Sequence, residues 1–191
     1  MSMTSNEPDS VRLMIPALGS FYRAFAQPLA WVALRVAVGG VMVLEGWPKM
    51  TAPMAMTGFV EGIGFYPGWF WSPFLAALQF FGGIAVVVGL YTRPVALASA
   101  VMLAITVWFH VVNPYGDAFL TPAGIEALAT SSELFTPNAM RRLADGGARF
   151  LAQVQGKAEH LSLMWTLGMA LFAAYGAGPL SVDRNVLKKE F

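Results

Sequence analysis

The chain has 191 residues, of which 57% are apolar and only 12% charged, whereas a soluble domain of this size carries about a quarter charged residues. Twelve Lys+Arg against eleven Asp+Glu leave a formal charge of +1, which gives no reason to expect a nucleic acid as partner. The absence of cysteine excludes disulfides, Cys-ligated zinc, iron–sulfur clusters and thiol redox chemistry carried by this chain.

Residues 1–28 form an N-terminal arm of mixed charge whose first long apolar run begins only at Leu29, so it does not read as a secretory signal. The remainder, 29–191, reads as one membrane domain with four stretches long enough to span a bilayer. The first span, 29–47, is interrupted only by Arg35 and Glu45, and the second, 73–91, has Gln79 as its one strongly polar side chain. The third, 95–112, carries His110 near its end, and the fourth, 161–177, has no charge. A soluble bundle would show a polar stripe on each helix, and these segments show none. The expected fold is therefore all-α: an integral membrane four-helix bundle.

Thr92-Arg93-Pro94 between the second and third spans predicts a tight hairpin turn with Thr92 capping the third helix. The connection 113–160 is too long for a simple turn and reads as an extramembrane helical loop. Thr121-Pro122 and Thr136-Pro137 each have the form of a cap followed by a first-turn proline. Beyond the second of these, Met140, Leu143, Gly147, Leu151 and Val154 share one helical face, with Asp145 and Arg149 spaced four apart on another. That pattern predicts an amphipathic helix in the membrane interface, between the third and fourth spans, or a docking surface for a partner. Small residues at Gly39-Gly40, Gly82-Gly83, Gly89 and Ala96/Ala100 suit close helix packing in lipid. No phosphate loop, dinucleotide fingerprint or hydrolase motif is present. Six basic residues on the side of the termini against five on the other favour cytoplasmic termini.

Polar residues inside a membrane are expensive unless paired. Alternating span direction brings Glu45, His110, Glu159 and His160 to the membrane face that carries the long loop, with Gln79 about 9 Å deeper. Polar groups at span ends often only meet water or headgroups. Gathered from all four helices, however, these five form a candidate site for passing protons to a quinone or for holding a metal. Two histidines suffice for axial haem ligation, but His160 falls at the water boundary and His110 only slightly inside it, a poor match for a buried haem. Arg35 lies toward the opposite face, where Asp183 is available as an ion-pair partner; the competing role is anchoring an anionic headgroup.

Several runs together resemble the DoxX family. They are Leu34-Arg35-Val36-Ala37-Val38-Gly39-Gly40 leading to Glu45-Gly46-Trp47-Pro48-Lys49, then Gln79-Phe80-Phe81-Gly82-Gly83, then Gly89-Leu90-Tyr91-Thr92-Arg93, and finally Gly178-Pro179-Leu180-Ser181-Val182-Asp183. The resemblance covers about 29–112 and 159–184. It implies a four-helix protein of the bacterial inner membrane associated with oxidoreductase systems. One branch of the family is the membrane subunit of a thiosulfate:quinone oxidoreductase, and another resembles scaffolds of membrane-bound redox-defence complexes. The chain departs from the family pattern where Glu45 stands in place of a histidine and Gln79 in place of a glutamate, while Glu159 matches an acidic residue opening the fourth helix. The amide at Gln79 removes a titratable group and puts a family-wide proton-transfer mechanism in doubt. The leading expectation is an accessory or anchor subunit that recruits a membrane or periplasmic redox protein. The alternatives are a quinone-interacting subunit with its site at the loop-side end and, third, a small transporter.

Overall fold

The computed structural model describes residues 14–189. The first thirteen residues of the N-terminal arm, Arg12 among them, lie outside the described residues. Seven α-helices longer than five residues follow one another: α1 Gln27–Thr51, α2 Thr57–Gly62, α3 Gly68–Val88, α4 Thr92–Val112, α5 Pro122–Thr130, α6 Pro137–Leu143 and α7 Ala148–Tyr175. No strand occurs among the described residues. The arm is not separate from the first span, because the chain is already helical from Pro16 and runs through a π-turn at Tyr22–Ala26 into α1.

Three helical stretches, Pro16–Thr51, Gly68–Val88 and Thr92–Val112, are long and apolar enough to cross a membrane. Their outer faces carry bulky apolar side chains that water would not tolerate in such density, among them Phe74, Phe81, Leu97 and Val101. This is a membrane protein. The expected fourth span is the uncharged end of α7, which likewise exposes Leu163, Met164 and Leu167 and ends at Tyr175 rather than at residue 177.

α1 packs chiefly on α3, and α4 on α7, with the two pairs joined through α3 and α4. A Cβ on Gly39 would lie 2.7 Å from Gly83 O, and one on Gly46 would lie 2.7 Å from Phe80 N. Rising numbers on α1 meet falling numbers on α3, so the two are antiparallel and touch backbone to backbone. Gly39 and Gly83 thus do the packing expected of them, whereas Gly40 faces open space. Val38, Met42, Val86, Ala96, Ala100, Leu103, Met169 and Phe172 form the core between the pairs.

α3 stops because Gly89 adopts a left-handed conformation (φ +73°), with Leu90 N–H closing on Ala85 O at 2.8 Å. The tight turn into α4 is as expected, but its cap is not. The Thr92 hydroxyl has no hydrogen-bond partner. Asp183 accepts instead from Tyr91 N–H at 2.8 Å and from Thr92 N–H at 2.9 Å. A carboxylate arriving from 91 residues away serves the orphan donors of α4, something local spacing cannot reveal.

The caps at Thr121 and Thr136 form as expected, accepting from Gly124 N–H and Ala139 N–H. The single amphipathic helix does not form. It breaks at Gly146 and Gly147, both at positive φ, and everything from Ala148 onward belongs to the unbroken 28-residue α7. Asp145 makes no helix-face pair with the Arg149 side chain. Its carboxylate accepts from Gly147 N–H and Arg149 N–H, each at 3.1 Å, and caps α7.

Candidate functional site

A cavity of about 560 Å³ opens where α1, α3, α4 and α7 converge at the loop-side end. Lys49 lies one turn beyond Glu45 on α1, so both reach the same recess. Gly46, between them, lets α3 come close at this level, and Lys49 Nζ donates to Gln79 Oε1 at 2.6 Å. Gln79 is 92% withdrawn from the surface, its exposure being 8%. Its carboxamide nitrogen makes no hydrogen bond. His110 enters from α4, and Met102, Phe109 and Trp165 complete the wall.

Helix α2 is the floor of the cavity, and the residues before α3 gave no expectation of it. Met56, Phe59, Val60 and Ile63 all face the recess, and Phe59 meets Phe109 edge-on at 4.8 Å between ring centroids. The segment is pinned at two points: Gly68 N–H donates to Glu61 Oε1 at 2.8 Å, and Ser72 Oγ donates to Pro53 O at 2.5 Å. Proline and glycine at positions 53, 58, 62, 64 and 67 make 52–67 read as a loop. The signal that was present is the helical spacing of Met56, Val60 and Ile63.

Of the five expected cluster residues, Glu45, Gln79 and His110 line the cavity, and Glu159 and His160 do not. Glu159 accepts from Gln155 Nε2 at 2.6 Å, and the same nitrogen donates to His110 O at 2.6 Å, while Gln155 Oε1 accepts from Tyr115 N–H. Gln155 therefore ties α7 to the end of α4 and holds Glu159 in an outer position. His160 is exposed. Among the described residues no group of three His, Asp or Glu converges as a metal site. The residue missed from the sequence is Lys49, because a lysine just past a span reads as an ordinary boundary charge.

Arg35 and Asp183 sit at the opposite end. Arg35 is 1% exposed and does not form the expected direct ion pair. Its Nη2 donates to Leu180 O at 2.7 Å and Pro179 O at 3.3 Å. Asp183 acts on it only through space. Gly178 (φ +69°) lies against the Trp31 ring, and Gly89 against Arg35 and Ser181, with no room for a Cβ at either. Arg35, Asp183 and the 176–183 segment thus pack together as a latch across this end of the bundle.

Residues 30–111 match the family model DoxX. This segment, less than half of the chain, is similar to the DoxX family. The match runs from within α1 to the end of α4, so the DoxX segment contributes Glu45, Lys49, Gln79 and His110, while α7 and the C-terminal latch lie outside it. No curated protein and no solved structure matches the chain.

Proposed function

We propose that the chain is a membrane subunit of a quinone-linked redox system, and that the loop-side cavity holds the quinone head. The observation that carries this reading is the cavity itself: aromatic and aliphatic walls with Glu45, Lys49, Gln79 and His110 collected at one place. A pocket of that kind suits a flat amphiphile arriving from lipid. The Lys49 ammonium and the Gln79 amide offer donors to carbonyl oxygens, and Glu45 and His110 are the two groups there that could exchange protons with it. The setting proposed is the bacterial inner membrane with cytoplasmic termini.

The test is a photoreactive quinone analogue applied to membranes containing the full chain. Label should appear on peptides carrying Phe59 or Phe109 and be displaced by excess unmodified quinone. Lys49→Met should lower specific labelling about tenfold, the scale of one charge-assisted hydrogen bond. Labelling that is not competed, or that ignores Lys49→Met, would sink the quinone reading.

Recruitment of a redox partner by the loop is the companion role, supported by Leu134 and Phe135, which stand 75% and 39% exposed there. Deleting 122–143 tests it by co-purification from native membranes. A wider deletion reaching residue 156 would cut into α7 and disturb its packing on α4. A redox enzyme retained near one-to-one by the full chain and lost on deletion supports the role; a chain that purifies alone rules it out.

A further inference from the structure

The corner between α6 and α7 carries three guanidinium groups that the proposed function does not use. Arg141 and Arg142 close α6, and Arg149 opens α7, all exposed around a recess of about 340 Å³. The acid among them, Asp145, has both carboxylate oxygens engaged by backbone N–H groups of the α7 cap. No carboxylate among the described residues pairs with any of the three arginines.

The corner is held in place. Gly146 O accepts from Phe119 N–H and Leu120 N–H at 2.6 and 2.9 Å. Gly147 packs against the Phe119 ring. The Arg142 guanidinium lies 4.9 Å from the centre of the Phe150 ring. Arg149 sits at the positive end of a 28-residue helix, where a cation is unfavourable unless an anion joins it. Three cations and a helix dipole thus converge on one recess.

Its height is set by a neighbour. Gln155 bonds to His110 O near the membrane end of α4, and Arg149 stands six residues, about 9 Å, further out along α7. The headgroup layer is about 5–8 Å thick on each side of the hydrocarbon, so an arginine that far beyond the end of the apolar helix must turn its side chain back toward the bilayer to meet a phosphate. We propose that Arg141, Arg142 and Arg149 bind a phosphate-bearing anion, either the headgroup of an acidic phospholipid or a free phosphate. Guanidinium forks suit phosphate oxygens bidentately.

The experiment uses the full chain in a neutral detergent, with native mass spectrometry of bound phosphatidylglycerol against phosphatidylcholine, and a parallel titration with inorganic phosphate. Comparison is with the triple variant Arg141→Gln/Arg142→Gln/Arg149→Gln. Phosphatidylglycerol binding should fall at least about tenfold in the variant, with phosphatidylcholine unaffected. Phosphate binding that is lost in the variant without any lipid preference assigns the site to a soluble anion. Equal binding by both proteins in both arms overturns the proposal. A triple Arg→Lys variant, which keeps the charge but loses the fork, should bind more tightly than the glutamine variant and less tightly than the unaltered chain, and separates loss of binding from loss of fold.

Discussion

Gly83→Val should lower the midpoint of thermal unfolding in detergent by about 10 °C, roughly 3 kcal/mol for a chain of this length. A Cβ at Gly83 would stand 2.7 Å from Gly39 O and 2.9 Å from both Met42 Cβ and Val43 N. These are mostly backbone atoms of the facing helix, which cannot rotate away. Lipid supplies no hydrophobic drive for helices to associate, so the α1–α3 pair relies on close contact, and a valine would force the two apart. Gly40→Val is the control, since nothing lies within 4 Å of a Cβ there. Equal midpoints for the two variants would show that the close approach of α1 and α3 does not hold the fold.

Asp183→Ala should cost about 3–4 kcal/mol in the same assay. The substitution strips the acceptors from two backbone N–H groups at the start of α4 and leaves the buried Arg35 guanidinium without a nearby negative charge. Asp183→Asn retains one acceptor oxygen in the same volume and should fall between the two. If Asp183→Ala unfolds within a degree of the unaltered chain, the latch does not close the bundle at this end.

The parts of the fold that could be read from sequence are those written in local chemistry. The caps at Thr121 and Thr136 form because the hydroxyl, the first-turn proline and the N–H they serve lie within three residues of one another. Three span-length apolar runs appear as helices for the same reason. What failed was the assignment of work that depends on distant partners. Thr92 looked like the cap of α4, but an aspartate near the other end of the chain does that work. Asp145 looked like half of a helix-face ion pair, but two glycines break the helix and turn its carboxylate onto the new N-terminus. In the site, alternating span direction was enough to predict that Glu45, Gln79 and His110 converge. It could not show that Lys49 folds inward to Gln79, or that Gln155 draws Glu159 aside. Both depend on side-chain hydrogen bonds between helices, and periodicity carries no information about those.

The continuity of α7 makes the loop and the cavity one mechanical object. Arg149 near its outer end and Trp165 in the cavity wall ride on the same unbroken helix, about 24 Å apart along its axis. A rigid rod of that length tilting by about 5° displaces one end relative to the other by about 2 Å, more than half the width of a water molecule. A grip on the outer corner of α7 that tilted the helix would therefore also shift Trp165 against the polar groups opposite it.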